Sequence, residues 1–294
     1  MIYGAIDIGT NAARLLIGEV VEQDSASCVK KIAYFRVPLR LGFEVFNDGI
    51  ISAKKIADFS KTIRAFKLIS EVYNVRQLRA CATSAMREAL NGKEIQQFIK
   101  EQTGVEIEII DGEQEAQLIF STFMLLTFDK SVPFIVVDVG GGSTEISIFE
   151  GIKKIAGKSF KLGTIRMLQD KVDKEEWKKL SKWLKKNIDF SIPHKVFGTG
   201  GNINKIHKIF QRNITEGVKT TSINDLLVEL RQMDLTDRMA KYNLKEDRAD
   251  VIVPAGEIYL FIAKILGCEE YFVPKIGLSD GIIYNLSKTD LSID

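Results

Sequence analysis

Cysteine is scarce in this sequence. The 294-residue chain has three, Cys28, Cys81 and Cys268, which are far apart and form no C-x-x-C pair. Their scarcity excludes a zinc ribbon or a disulfide framework as the basis of the fold. The chain also lacks the ~20-residue apolar run that spans a bilayer, and its first residues, MIYGAIDIGT, lack the basic and apolar regions of a signal peptide. We therefore expect a cytoplasmic protein with no membrane partner.

Net charge is also small. The chain carries 41 basic and 39 acidic residues, which leaves a formal charge of +2. This balance provides no whole-protein field that would attract nucleic acid, so nucleic acid is not expected as a partner. A polyanionic ligand would have to be bound by local groups. The length and the 45% hydrophobic content fit one or two folded domains with a sizeable core.

One pattern occurs twice along the chain. An apolar strand at 2–7 leads into an Asp-x-Gly loop and a returning strand, and the apolar strand at 133–138 leads into VGGGS and another returning strand. The two loop aspartates, Asp7 and Asp138, are 131 positions apart. The repeat predicts two α/β domains, at 1–118 and 119–282.

The segments between and after these hairpins have helical and strand periodicity. Residues 52–72 have apolar positions every three or four residues, with Ser52 as a candidate N-cap. The remaining predicted strands are 77–82, 105–110, 145–149, 153–160, 195–198 and 270–273, and the remaining predicted helices are 84–90, 113–126, 173–188, 201–210, 222–232 and 246–265.

The two loops have the chemistry of a phosphate site. A Gly-rich turn exposes successive backbone N–H groups, and glycine lets a phosphate approach without a Cβ in the way. Asp7 and Asp138 would repel phosphate directly, so we expect them to act through Mg²⁺, which bridges carboxylates to phosphate oxygens. The alternative is that both aspartates only cap their own loops.

Eight segments, taken in order, resemble the exopolyphosphatase/guanosine pentaphosphate phosphohydrolase (Ppx/GppA) family in its short two-domain form. They are DIGTNAARLLI (7–17), ATSAMREA (82–89), IIDGEQEAQLIF (109–120), DVGGGSTE (138–145), LGTIRM (162–167), FGTGGNI (197–203), RADVIVPAGEI (248–258) and GLSDGII (277–283). The resemblance implies an α/β actin-like ATPase (ASKHA) fold, with two ribonuclease H-like domains around a central cleft. It also implies that the C-terminal segment, 283–294, packs on the first domain.

The resemblance also implies roles for individual residues. Glu115 matches the catalytic carboxylate that orients and deprotonates the attacking water, and Arg87 matches a phosphate-binding arginine. The alternatives are a surface glutamate and an arginine that only complements a helix C-terminus. Arg14 is expected to brace the first loop. The expected Mg²⁺ ligands are Asp7, Asp138 and Glu145. The expected phosphate-binding residues are Thr10, Asn11, Thr83, Ser84, Gly140, Gly141, Gly142, Ser143, Thr144, Gly200 and Gly201.

The chain departs from the family pattern at a few positions. Ala12 stands where members often have serine, and Gln114 stands where the carboxylate run usually has glutamate. The only histidines are His194 and His207, whereas long members carry a further helical domain with His-Asp pairs. The resemblance therefore gives no support for processive handling of long chains. The loop at 198–202 is either a third anion-binding loop or a plain strand-to-helix connection.

Two other motifs are weaker. GIKKIAGKS (151–159) is similar to a P-loop, but five residues instead of four separate its glycines and it lies in a predicted hairpin. KEEWKKLSKWLKK (174–186) is a basic amphipathic helix. We expect its outer face to be charged and its tryptophans to pack inward, with a membrane-surface or partner helix as the alternative.

The sequence thus favours a hydrolase that uses Mg²⁺ to release terminal phosphate from inorganic polyphosphate. The alternative in the same class is a guanosine pentaphosphate 5′-phosphohydrolase, because both substrates require the same phosphate-binding groups. An actin-fold small-molecule kinase and a nucleotide-binding regulator are alternatives from other classes, and a homodimer is left open.

Overall fold

The computed structural model describes residues 1–23, 26–123, 125–126, 128–129, 131–210, 213 and 216–291. The chain divides into two compact units. The first unit comprises Met1–Thr127 and Ile276–Asp294, and the second comprises Phe128–Lys275. The predicted boundary at 118/119 falls inside a helix of the first unit, Gly112–Phe123.

The first unit is built around a five-stranded mixed sheet. Its elements are β1 (Ile2–Ile8), β2 (Ala13–Gln23), β3 (Ala26–Val37), α1 (Leu41–Asp48), α2 (Ala53–Val72), β4 (Gln77–Ala82), α3 (Ser84–Glu88), α4 (Gly92–Thr103), β5 (Ile107–Ile109), α5 (Gly112–Phe123) and, from the end of the chain, α13 (Leu278–Leu291). The strand order is β3-β2-β1-β4-β5, and β1 pairs antiparallel with β2 and parallel with β4.

One face of this sheet packs against α2 and α4. The Ser52 side chain caps α2 by accepting a hydrogen bond from the Lys55 amide at 3.3 Å, as the sequence predicts. The apolar stripe of α2 is buried at Phe59, Ile63 and Phe66. This stripe belongs to the same core cluster as the inward-facing residues of β1 and β2.

The other face of the sheet is covered by α13, the C-terminal helix. Gly281 of this helix lies so close to α5 that a Cβ would meet the Leu118 carbonyl oxygen. Polar contacts fix both of its ends. Asp280 pairs with Lys31 at 2.9 Å, and Asp290 accepts from Arg76 Nε at 2.7 Å. The resemblance placed 283–294 on this unit, and the described helix packs on it from Leu278 onward.

The second unit repeats the hairpin arrangement. Its elements are β6 (Phe134–Val139), β7 (Thr144–Glu150), β8 (Lys153–Phe160), α6 (Thr164–Leu168), α7 (Lys174–Asn187), β9 (Lys195–Thr199), α8 (Gly201–Ile209), β10 (Val218–Lys219), α9 (Thr220–Gln232), α10 (Leu235–Tyr242), α11 (Glu246–Ala249), α12 (Ile252–Leu266) and β11 (Glu270–Tyr271). Four of the strands form a sheet with the order β8-β7-β6-β9. Helices α7, α8, α9 and α12 pack against it and contribute to the same core cluster.

Some elements differ from the sequence prediction. Gly92 starts α4, although the Asn91-Gly92 pair looks like a turn. The helix predicted over 246–265 is divided into α11 and α12. Pro254 lies in the first turn of α12, where its missing N–H costs nothing, so a helix start just before it is favoured.

Other expectations hold. The P-loop-like segment forms strand β8, not a strand-to-helix loop. The tryptophans of α7 pack inward, Trp177 against Phe261 and Trp183 against Phe160. Within the described ranges, no helix is long and apolar enough to cross a bilayer.

Candidate active site

The backbone of the β1–β2 loop in the first unit is held by hydrogen bonds within the loop and to the start of α1. The Gly9 amide donates to the Ala12 carbonyl at 3.1 Å and closes the turn. The Thr10 and Asn11 carbonyls accept from the amides of Gly42 (3.0 Å) and Arg40 (2.9 Å) at the start of α1. The loop carbonyls are therefore turned toward α1, away from the side where an anion would be bound.

The start of α3 adds hydroxyl and guanidinium groups beside this loop. Thr10 Oγ1 and Ser84 Oγ are 2.6 Å apart, although the residues are 74 positions apart in sequence. The Thr83 amide donates to the Ile8 carbonyl at 3.1 Å, which fixes α3 at the end of β1. Arg87 Nη1 donates to the Ile110 carbonyl at 2.6 Å. A guanidinium has five N–H donors, so this contact orients Arg87 without exhausting it.

Asp7, an expected metal ligand, forms an ion pair with Arg14. The two residues are cross-strand neighbours in the β1–β2 register. Asp7 is 6% exposed. A buried carboxylate of this kind is stabilised by the cation that pairs with it. Arg14 therefore does more than brace the loop, because it neutralises the aspartate of the first hairpin.

Glu115 lies in the first turn of α5 and is half-buried. Asp111 and Gln114 cap this helix reciprocally: the Gln114 amide donates to Asp111 Oδ1 at 2.8 Å, and the Asp111 amide donates to Gln114 Oε1 at 3.0 Å. This is a capping box, a role that glutamine fills as well as glutamate. The departure at Gln114 therefore leaves the helix that carries Glu115 intact.

The carboxylates of Asp7 and Glu115 both influence the buried thiol of Cys81. The pKa of Cys81 is raised to about 12, first by burial, while Arg79 lowers it and the carboxylates of Glu108, Asp7 and Glu115 raise it further. Asp7 and Glu115 thus lie within electrostatic range of one group in the first unit.

The β6–β7 loop of the second unit repeats this construction. The Gly140 amide donates to the Ser143 carbonyl at 2.9 Å. The loop carbonyls accept from the start of α6: Gly140 from the Thr164 amide (3.1 Å) and Gly141 from the Ile165 amide (2.8 Å). A Cβ at position 163 would lie 2.5 Å from the Gly141 oxygen, so this close approach requires glycine.

Arg166 completes the backing of this loop, with its Nε donating to the Gly142 carbonyl at 2.6 Å. It is 7% exposed and lies in the LGTIRM segment that carries part of the family resemblance. In contrast, the Thr144 hydroxyl donates to the Leu162 carbonyl at 2.6 Å. Thr144 therefore has a structural contact, whereas Ser143 remains within the loop itself.

Four oxygen-bearing side chains share one row of the second sheet. Asp138 is the cross-strand neighbour of Glu145 on one side and of Thr199 on the other. Glu145 is also the neighbour of Ser159, whose hydroxyl donates to Glu145 Oε1 at 2.7 Å. Directly opposed side chains in a sheet have Cβ atoms about 5 Å apart. Two carboxylates, Asp138 and Glu145, are thus held side by side.

The third loop, at 198–202, lies against Asp138. Gly200 has φ 101°, and a Cβ there would lie 2.8 Å from Asp138 Oδ1. Arg248 Nη1 donates to Asn202 Oδ1 at 3.1 Å and stands against Gly201. Tyr259 donates to the Thr199 carbonyl at 2.5 Å, and burial raises its pKa, with a further contribution from Asp138. The loop is thus packed around one carboxylate and one guanidinium.

The row of oxygen-bearing side chains in the second unit has the chemistry that magnesium prefers. In the part of the chain that the structure describes, no group of three or more His, Cys, Asp or Glu side chains is placed to hold a metal. Magnesium, however, needs only one or two carboxylates, with waters and substrate phosphates filling the remaining positions. Asp138 and Glu145 provide such a pair, and Thr199 and Ser159 add hydroxyl oxygens. Asp7 fits less well, because Arg14 already pairs with it.

Sequence reasoning missed Arg166 and Arg248 as parts of these loops. Both lie in segments that carry the family resemblance, but their roles depend on contacts between residues distant in sequence. Arg166 contacts a loop 24 positions earlier, and Arg248 contacts one 46 positions earlier.

The duplicated units, each with a glycine-containing hairpin loop backed by the next helix, define an α/β protein of the actin-like fold with two ribonuclease H-like units. The chain belongs to the Ppx/GppA phosphatase family, whose model matches residues 19–290. It is similar to an exopolyphosphatase structure from Cytophaga hutchinsonii, with a TM-score of 0.83 and 22% identity over 98% of each chain.

Two curated relatives are similar in sequence. Exopolyphosphatase 1 of Mycobacterium bovis is 23% identical over 314 residues, covering 100% of this chain and 90% of that protein. The bifunctional 3-dehydroquinate synthase/phosphatase of Fusobacterium nucleatum is 29% identical over 199 residues, which is 63% of this chain. The match covers 30% of the length of that bifunctional protein.

Proposed function

We propose that this chain is an exopolyphosphatase that hydrolyses the terminal phosphoanhydride bond of inorganic polyphosphate. The observation that carries the proposal is the construction of the β6–β7 loop. Three consecutive carbonyls, those of Gly140, Gly141 and Gly142, are bound by the start of α6 and by Arg166. With the carbonyls turned back, the other side of the loop presents amide hydrogens, which is the arrangement that binds phosphate oxygens.

In the second unit, Asp138 and Glu145 are the proposed ligands of Mg²⁺. When bound, this ion would neutralise charge on the phosphate oxygens. The loop amides and the Ser143 hydroxyl hold the terminal phosphoryl group, so its orientation is set by groups that α6 has already fixed in place. Gly200 and Gly201 extend the binding surface beside Asp138.

In the first unit, Thr10, Ser84 and Arg87 are the proposed contacts to phosphate oxygens, with Asn11 and Thr83 beside them. Arg87 is oriented by its bond to the Ile110 carbonyl, and a planar guanidinium stabilises charge spread over two oxygens. Glu115 is the proposed general base. It accepts a proton from the attacking water, whose oxygen forms the new bond to phosphorus while the remaining chain leaves with the bridging oxygen.

Polyphosphate is favoured over other phosphoanhydrides because relatives that match nearly the whole chain are described as exopolyphosphatases. Guanosine pentaphosphate is the comparison substrate, since the same loop contacts would serve its 5′ end. The bifunctional Fusobacterium relative is described as carrying a phosphatase, which fits phosphate release but names no substrate.

The test is phosphate release, with Mg²⁺ present, from tripolyphosphate, long-chain polyphosphate and guanosine pentaphosphate. We expect wild type to release phosphate from the polyphosphates and Glu115→Gln to lose roughly 100- to 10,000-fold in rate. Glu113→Gln is the matched control, because Glu113 is an exposed glutamate in the same helical turn. Release from guanosine pentaphosphate alone would transfer the assignment to that substrate. No release from any of the three by folded protein would overturn it.

A further inference from the structure

Positive charge is concentrated in one stretch of the second unit. Residues 151–187 contain 12 basic and 4 acidic residues, a net charge of +8. The whole chain has a formal charge of +2, so the remainder carries −6. A local field of this size is masked in the overall balance and would attract a polyanion to one part of the molecule.

The structure places most of the exposed lysines of this stretch on β8 and α7. β8 is the edge strand of its sheet. Lys158 lies over the ring of Phe160, which in turn contacts Trp183 of α7, so Lys158 lies on the side of the sheet that α7 covers. We call the exposed side chains of this lysine and of α7 the lysine face: Lys158, Lys174, Lys178, Lys179, Lys182, Lys185 and Lys186.

Few acids compensate this face. Lys178 pairs with Glu175 and Lys179 pairs with Glu176. Among the described residues, Lys182, Lys185 and Lys186 form no ion pair. Exposed like charges this close repel one another, so the face is stabilised when an anion lies across it.

The edge strand leads away from the phosphate loop. Phe160, the last residue of β8, pairs with Thr144, which follows the loop directly. Lys153, the first residue of β8, pairs with Glu150 at the far end of β7. An eight-residue strand is about 26 Å long. A chain held by its end at the loop therefore has a run of positive charge along the same unit to lie against.

We propose that the lysine face is a docking surface for long inorganic polyphosphate, outside the loops that hold the terminal phosphoryl group. This proposal rests on the proposed function, which supplies the substrate. Polyphosphate suits the face better than nucleic acid because both aromatic residues of α7 pack inward. Single-stranded nucleic acids are usually bound with bases stacked on aromatic side chains, whereas lysine acts as a point charge toward phosphate.

The test compares two fourfold variants with equal charge change. One carries Lys178→Gln, Lys182→Gln, Lys185→Gln and Lys186→Gln. The control carries Lys54→Gln, Lys61→Gln, Lys93→Gln and Lys100→Gln, which are exposed lysines on α2 and α4 of the first unit. Binding of fluorescently labelled long-chain polyphosphate is measured at several salt concentrations in a Glu115→Gln background, so that the ligand is not consumed.

We expect the α7 variant to bind the long chain roughly tenfold more weakly and with a smaller salt dependence, because fewer counterions are released. When Glu115 is intact, the α7 variant should have a higher KM than wild type for long-chain polyphosphate. Its KM for tripolyphosphate should be unchanged. Equal losses in the α7 and control variants would overturn the proposal. So would stronger binding of a single-stranded oligonucleotide than of polyphosphate at this face. Absence of hydrolysis by wild type would overturn the proposed exopolyphosphatase function. The binding comparison between the two variants would still test the docking surface.

Discussion

The two hairpins have the same construction but opposite electrostatics. In each, an aspartate is the next-to-last residue of the first strand and its cross-strand neighbour is seven residues later, Arg14 for Asp7 and Glu145 for Asp138. In the first unit the pair is an ion pair. In the second unit the neighbour is another carboxylate, and directly opposed like charges destabilise a sheet unless a cation lies near them. The two units therefore share the hairpin construction and differ in the residue that stands opposite the aspartate.

The first unit follows the same rule at its other buried aspartates. Asp280 pairs with Lys31 and Asp290 pairs with Arg76. These pairs hold α13 on the sheet, so they contribute to the stability of the first unit. The charge of the neighbouring side chain must therefore be known before a buried carboxylate is assigned to catalysis.

The largest expected effect comes from making the second hairpin like the first. Glu145→Arg places a cation beside Asp138, which would compete with Mg²⁺ for that carboxylate. We expect phosphate release to fall by roughly 100-fold or more, with little change in the midpoint of thermal unfolding measured without Mg²⁺. Glu150→Arg, an exposed change at the end of the same strand, is the control. Equal activity of the two variants would show that the carboxylate of Glu145 beside Asp138 is not needed for phosphate release.

A second effect, on stability, comes from removing the cation of the first hairpin. Arg14→Gln leaves Asp7 buried without its ion pair, and we expect the free energy of unfolding in urea to fall by about 3 kcal/mol. The double variant Asp7→Asn with Arg14→Gln should recover part of this loss, because no charge is left uncompensated. If the single and double variants were equally unstable, Arg14 would act by packing and not by charge.

A smaller effect is expected where α13 is fixed to the first unit. Asp290→Asn removes a charged acceptor that binds Arg76 and the Tyr3 hydroxyl, at a cost of about 2 kcal/mol. The second unit is built from one continuous segment, so hydrogen exchange should show lost protection in the first unit only. Equal loss of protection in both units would show that the Asp290 contacts of α13 do not stabilise the first unit alone.

The smallest effect concerns pH. Burial raises the pKa of Asp280 above its ordinary value, against the lowering effect of Lys31. Because the folded pKa is raised, the contribution of Asp280 to stability is present below the ordinary pKa of about 4 and is lost as pH rises through the folded value. Relative to Asp280→Asn, wild type should therefore gain stability on acidification. A gain toward neutral pH instead would mean that pairing with Lys31 outweighs burial.

Both hairpins could be predicted because their signals are local. Strand, glycine loop and returning strand are read within about ten residues, and both pairs of strands are present. The long edge strand β3 and the docking of α13 were harder, because Lys30 and Lys31 interrupt an apolar pattern and α13 contacts a strand more than 200 positions earlier. The difference between Arg14 and Glu145 is visible in the sequence, but its meaning requires the register.

We propose that Asp138 and Glu145, and not Asp7, form the magnesium site. The most direct measurement is the rise in the thermal unfolding midpoint on titration with Mg²⁺, compared among wild type, Asp138→Asn, Glu145→Gln and Asp7→Asn. A ligand that binds only the folded state stabilises it in proportion to the logarithm of its concentration above Kd. We predict that Asp7→Asn retains the magnesium-dependent rise and that Asp138→Asn and Glu145→Gln lose it. Loss in Asp7→Asn with retention in the other two would contradict the account.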